Sequence, residues 1–115
     1  MGRAQTTMKN TLLQQEIDTI TQQLVTQYQP EKIILFGSAA RGDMRKDSDL
    51  DFFIVKETEK RHIDRAPEVY KILRTIGRNY PIDVLVYTPG ELQKRVELGD
   101  FFIKDILEEG KVLHG

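Results

Sequence analysis

The 115-residue sequence contains no cysteine, which excludes a disulfide framework and thiolate chemistry and agrees with a cytoplasmic location. It has no apolar run of membrane-spanning length and no signal-peptide pattern, so no membrane association is expected. An excess of positive charge is missing too. The 17 Lys and Arg against 18 Asp and Glu leave a net charge of −1, no electrostatic footprint for a long nucleic acid, and so disfavour a polymerase or a tight RNA binder. Repeats, linkers and low-complexity segments are also lacking. At 39% hydrophobic and 30% charged residues, the chain is long enough for one core and too short for two ordinary domains. Residues 10–115 are therefore read as a single domain behind a polar, flexible segment, residues 1–9.

Within that domain, Leu13, Ile17, Ile20, Leu24 and Tyr28 recur at steps of three and four, predicting an amphipathic helix from about Asn10 to Gln29 that Pro30 closes. The β-branched and aromatic run Lys32 to Phe36 predicts a strand, followed by a turn and short helix at Gly37 to Arg41. A further strand is expected over Leu50 to Lys56. A second long helix begins near Asp64, with Ala66, Val69, Leu73, Ile76 and Tyr80 as its apolar stripe and Pro67 tolerated in its first turn. Ile82 to Tyr87 reads as the third strand. Thr88-Pro89-Gly90-Glu91 has the pattern of a capping box with proline at the first helical position, and Asp100 caps another helix through about Glu109. Lys111 to Leu113 forms a short final strand. This order describes an α/β (α+β) domain, a small mixed sheet with helices packed on one face and the site toward the other.

The chemistry concentrates at two places. In DLDFFIV, Asp49 and Asp51 alternate along a strand and share a face roughly 7 Å apart, while Leu50, Phe52, Phe53, Ile54 and Val55 are apolar on both faces, as in an interior strand. Carboxylates opening such a strand are costly unless paired, and a hard cation is the usual partner. Upstream, Gly37 permits close approach of backbone to ligand, and Ser38 opens the short helix with free N–H groups and a hydroxyl that suit phosphate oxygens. The chain has no GxxxxGK[ST] run, so this is not a P-loop of the NTPase kind. Asp83 starts the third strand, with Leu85 and Tyr87 in its parity. If that strand lies beside Asp49 and Asp51, three carboxylates meet at one sheet edge, enough to hold two divalent ions roughly 3.5 to 4 Å apart. Taken singly, Asp49 reads as a turn cap after Ser48 and Asp83 as a strand start; together with Gly37-Ser38 those readings lose.

GSAARGDMRKDSDLDF, followed about thirty residues later by IDVLV, resembles the nucleotidyltransferase superfamily with the DNA polymerase β-like palm. The spacer of ten residues and the ending ILEEGKVLH look specifically like the minimal nucleotidyltransferases, the antitoxin half of HEPN/MNT toxin–antitoxin pairs. By position, the resemblance makes Asp49, Asp51 and Asp83 the catalytic, metal-binding acids holding two Mg²⁺ ions, with Asp83 the candidate base. It makes Gly37 and Ser38 the nucleotide phosphate loop. Many relatives carry arginine just after the serine, where this chain has Ala39; Arg41, Arg45 and Lys46 are the nearby cations, and Arg41 is the one taken as nucleotide-binding. The function it implies is transfer of AMP from ATP to a tyrosine hydroxyl of a HEPN toxin, with no long nucleic acid and an oligomer formed with that partner. Larger relatives add a domain for the acceptor, so the acceptor is expected to come from a separate protein. The alternatives are a non-catalytic nucleotide-binding antitoxin that masks the toxin, and a drug-modifying nucleotidyltransferase acting on a small molecule.

Other residues read as structural. Ser48 is a turn residue, since a nucleophilic serine would need a base and no histidine lies near in sequence. His62 and His114 are expected to face solvent, and Tyr70 and Tyr80 to belong to the core. Phe101 and Phe102 cannot both hide on one side of a helix, so one of them is expected to face a partner.

Overall fold

In the computed structural model, residues 2–45 and 47–115 are described, with side chains from Leu12 onward. The helix expected from about Asn10 begins at Gly2, so residues 2–9, expected as a flexible lead, are part of that helix, while Met1 and the candidate cation Lys46 lie outside the described residues. The elements in order are α1 (Gly2–Gln27), β1 (Lys32–Phe36), α2 (Ser38–Arg41), β2 (Leu50–Val55), α3 (His62–Leu73), β3 (Ile82–Tyr87), α4 (Pro89–Glu97), α5 (Phe101–Glu109) and β4 (Lys111–His114). Among the described residues no helix is long and apolar enough to cross a membrane.

The strands form one mixed sheet in the order β3-β2-β1-β4. Strand β1 runs antiparallel to β2 and to β4, whereas β2 and β3 are parallel, joined by the crossover helix α3 that a parallel pair requires. The central place of β2 explains its double-sided apolar run. Leu50, Phe52 and Ile54 turn toward one face, where Ile17, Ile20 and Leu24 of α1 and Val69 and Leu73 of α3 complete a buried core. Phe53 and Val55 turn toward the other, where they meet Ile34 of β1 and Ile103 and Ile106 of α5.

The helices are therefore not confined to one face. Helices α1 and α3 cover one side as expected, but α5 folds back over β1 and β2 on the opposite side. The cause is the apolar stripe of α5: Ile103 and Ile106 are spaced to face one way, and the open face of β1 and β2 offers them a dry surface. Tertiary burial, which local patterning does not report, chose the face.

The local signals at α4 act as the sequence implies. The Thr88 side chain accepts from the Glu91 N–H at 3.1 Å and the Glu91 carboxylate accepts from the Thr88 N–H at 2.8 Å, a complete capping box. The Asp100 carboxylate likewise accepts from the N–H groups of Phe102 and Ile103 to start α5. Helix α3 departs from expectation at both ends. It begins at His62, so Pro67 lies in the second turn, where it has no N–H for the carbonyl of Ile63. It ends at Leu73, well before the tyrosine at 80; Ile76 and Tyr80 still pack on the core, from the loop. That loop is tied down by the buried carboxylate of Glu16, which accepts from the Asn79 N–H at 2.5 Å.

Candidate active site

Register brings the acids together. Asp51 lies directly beside Asp83 across the parallel β2–β3 pair, and beside Phe36 across the antiparallel β2–β1 pair. With neighbouring strands about 4.8 Å apart, the Asp51 and Asp83 side chains leave the same face of the sheet as near neighbours. Asp49 stands one residue before β2, exposed at the open end. The parity argument of the sequence is met at Asp51 and Asp83. Both share the face of Phe53 and Leu85, which is the face that α5 partly covers.

The electrostatics record this crowding. Burial, then the negative charge of Asp83, then that of Asp49 push the Asp51 carboxyl up to about 6, against a smaller opposing pull from Arg41. A carboxylate in that position gains from a cation. Yet among the described residues no three His, Cys, Asp or Glu side chains close on a single ion-sized position. The two observations fit one kind of ligand: magnesium is normally held by one or two carboxylates, with substrate phosphates and water completing the shell, rather than by an all-protein cage. The two carboxylates of Asp51 and Asp83, side by side across the strand pair, suit that ion.

Gly37 shows how closely the Gly37-Ser38 turn is fitted to the acids. Its backbone has φ 73° and ψ −152°, a region open essentially to glycine alone. A Cβ built there would overlap Oδ2 of Asp51. The loop therefore reaches the acid at the distance of bare backbone, for both conformational and steric reasons. Helix α2 is a single turn, closed by the Gly42 N–H donating to the Ser38 carbonyl at 2.9 Å. It offers a few first-turn N–H groups and the Ser38 hydroxyl, but no long helix dipole.

Arg41 ends that turn, half-exposed and 3.3 Å from the Asp43 carboxylate. It also lines a cavity of about 260 Å³ with Phe36, Gly37, Phe102, Asp105 and Glu109. Thus Arg41 stands where the sequence puts it, at the mouth of the loop. Arg45 lies in a separate turn in which its N–H donates to the Ser48 hydroxyl at 2.7 Å, confirming Ser48 as a turn residue. No local signal marks α5 as a wall of this cavity. The spacing of Phe102, Asp105 and Glu109 places them on one helical face, but only the fold shows that this face meets Gly37.

The remaining structural expectations are met in part. His62 is exposed, with its ring edge against Tyr87 at 5.8 Å, whereas His114 is half-buried in β4 rather than solvent-facing, because β4 pairs with β1. Tyr70 packs on the core and its hydroxyl accepts from the Val84 N–H at 3.0 Å, one residue after Asp83. Both Phe101 and Phe102 are exposed, at 80% and 51%, and Phe102 packs edge-on against Phe36 at 5.9 Å. Arg65 and Glu91 were not singled out by the sequence. Buried Arg65 donates to both Glu91 oxygens, at 2.6 and 3.2 Å, and ties α3 to α4.

Comparison with known proteins finds relatives of this chain. A protein of Methanocaldococcus jannaschii named "Putative protein adenylyltransferase" is 34% identical over 84 residues, covering 73% of this chain and 78% of that protein. A crystal structure of a "putative nucleotidyltransferase" from Sulfolobus solfataricus matches with a TM-score of 0.57 at 25% identity, over 85% of this chain and 76% of the other. The profile of the Nucleotidyltransferase domain family matches residues 16–114, from the first core helix to the last strand. That span holds the Gly37-Ser38 turn and the three acids, and the chain belongs to the nucleotidyltransferase domain family.

Proposed function

We propose that this protein transfers AMP from ATP to a hydroxyl group on another protein. The observation that carries the reading is the pairing of Asp51 with Asp83 beside the bare backbone of Gly37. That proximity of bare backbone to paired acids supports a triphosphate beside metal-binding carboxylates. The relative named as a protein adenylyltransferase supports AMP as the group moved and protein as the acceptor. The resemblance of GSAARGDMRKDSDLDF to the minimal nucleotidyltransferases supports a tyrosine of a HEPN toxin as the acceptor, and with it an antitoxin role.

Asp49, Asp51 and Asp83 would hold the two magnesium ions. When bound, the metal supplies positive charge that neutralises the triphosphate and the departing pyrophosphate. Gly37 and Ser38 orient the outer phosphates through backbone N–H groups and the hydroxyl, and Arg41 adds charge at the mouth. The acceptor oxygen then attacks the α-phosphorus, the bond to the bridging oxygen breaks, and pyrophosphate leaves. Asp83, on the outer strand of the pair, would take the proton released by the acceptor hydroxyl. The protein's share of catalysis is positioning and a fixed electrostatic setting.

The test mixes the purified protein with a HEPN partner, magnesium and ATP, and weighs the partner by mass spectrometry. The expected result is a mass increase in whole AMP units, lost with Asp51→Asn. A partner that stays unmodified yet is silenced would replace transfer with masking. A partner modified equally by Asp51→Asn would remove the acids from the reaction.

A further inference from the structure

Helix α5 brings to the site a wall that neither the phosphate loop nor the acids account for. The cavity at the mouth of the loop is lined on one side by Phe36, Gly37 and Arg41, and on the other by Phe102, Asp105 and Glu109 of α5. Its volume of about 260 Å³ is near the lower end of ligand clefts, roughly 300 Å³. It has room for part of a nucleotide, not the whole. Phe36 is the cross-strand neighbour of Asp51, so the cavity begins where the acids end.

The lining says which part of a nucleotide belongs there. A triphosphate tail between Asp105 and Glu109 would meet two further negative charges against the single Arg41, which is already paired with Asp43, so phosphate is the wrong occupant. A nucleoside is the right one. The face of Phe102, already 51% exposed and held edge-on by Phe36, offers a surface on which a base can stack. The two carboxylates accept hydrogen bonds and donate none when ionised, so they select groups that donate. Neither has an ion-pair partner among the described residues.

Building on the nucleotidyl-transfer reading above, we infer that the cavity between α5 and the phosphate loop is the nucleoside subsite: Phe102 stacks on the base, and Asp105 and Glu109 accept hydrogen bonds from nucleoside donors. Those donors have two sources, the exocyclic amine of the base and the ribose hydroxyls. Phosphate placement thus belongs to the sheet edge and nucleoside choice to α5, on separate elements that can be altered one at a time.

The experiment measures magnesium-dependent binding of ATP, ITP, 2′-deoxy-ATP and tripolyphosphate, for the wild type and for Phe102→Ala, Asp105→Asn and Glu109→Gln. All three side chains are exposed, and circular dichroism checks that each variant is folded. The expected result is that Phe102→Ala weakens ATP about tenfold, the order of one lost base–aromatic stack, while tripolyphosphate binds as before. The wild type should also prefer ATP to at least one of ITP and 2′-deoxy-ATP by about tenfold, and that preference should shrink in Asp105→Asn or Glu109→Gln. Loss against ITP assigns the amine, and loss against 2′-deoxy-ATP assigns the ribose. Variants that bind ATP as the wild type does, or that lose ATP and tripolyphosphate equally, overturn the subsite. A wild type that binds tripolyphosphate and every nucleotide alike also overturns it, while leaving the transfer site standing. A wild type that binds neither ATP nor tripolyphosphate overturns the nucleotidyl-transfer reading itself.

Discussion

Replacing Asp51 by asparagine should make the metal-free protein more stable while destroying its response to magnesium. The Asp51 carboxyl is raised from 3.8 to about 6 by burial and by Asp83 and Asp49. At about 1.4 kcal/mol per unit the shift corresponds to roughly 3 kcal/mol, and partial exposure with solvent screening reduces that to about 1–1.5 kcal/mol. The sign follows from proton uptake. Between 3.8 and about 6 the folded state keeps a proton that the unfolded state has lost, so stability falls as pH rises through that window and levels off above it. Asparagine removes the penalty. At pH 8 without metal, Asp51→Asn should melt about 4–8 °C above the wild type, as expected for about 1 kcal/mol in a domain of this size. At pH 4 the two should melt together. Adding magnesium with a non-hydrolysable ATP analogue at about 100 times its dissociation constant should raise wild-type stability by about 2.7 kcal/mol and leave the variant almost unmoved. Thermal melts at three pH values, with and without ligand, provide the assay. A variant less stable than the wild type at pH 8, or a gap independent of pH, would refute the idea that the three acids repel one another at a site awaiting cations.

Gly37→Ala should abolish nucleotide binding, because the new methyl group lies on the Asp51 carboxylate and the backbone leaves its preferred region, whereas Gly42→Ala, at φ 80° with open space around it, should cost only about 1 kcal/mol and retain binding; titration calorimetry separates the two. Arg65→Ala should cost about 2–3 kcal/mol in denaturant melts, less than a fully buried pair because Glu91 is partly exposed. Hydrogen bonding from Arg65 holds the Glu91 carboxyl down at about 2, so its stabilisation is full above 4.5 and lost as pH falls toward 2. Glu91→Gln should flatten that acid limb of the stability curve. Tyr70→Phe leaves the Val84 N–H without its acceptor and should cost about 1 kcal/mol; a loss of magnesium–nucleotide affinity beyond that would show that Tyr70 positions Asp83.

Most of the elements are legible along the chain because their causes are local. The capping box at Thr88 and Glu91, the Asp100 cap, and the Gly37 turn each rest on side chains within a few residues of the backbone groups they satisfy. The acids were legible for a related reason: Asp49 and Asp51 lie at the mouth of a strand whose apolar run marks it as interior. Helix α3 was harder. Its stripe continues to Tyr80, yet the chain leaves the helix at Leu73, and the later residues reach the same core as a loop anchored by Glu16, 63 residues away in sequence.

By itself, the sequence determined which residues could carry phosphate and metal chemistry, since spacing along a strand and glycine at a turn are properties of a short segment. Only the tertiary structure decided which of them meet. The parallel register sets Asp83 beside Asp51, and no local preference specifies the register between segments some thirty residues apart. The return of α5 over the second face, driven by burial of Ile103 and Ile106, brings Phe102, Asp105 and Glu109 to the mouth of the phosphate loop. Side-chain burial across strands and layers is a long-range effect, and it set one helix face against the Gly37-Ser38 turn.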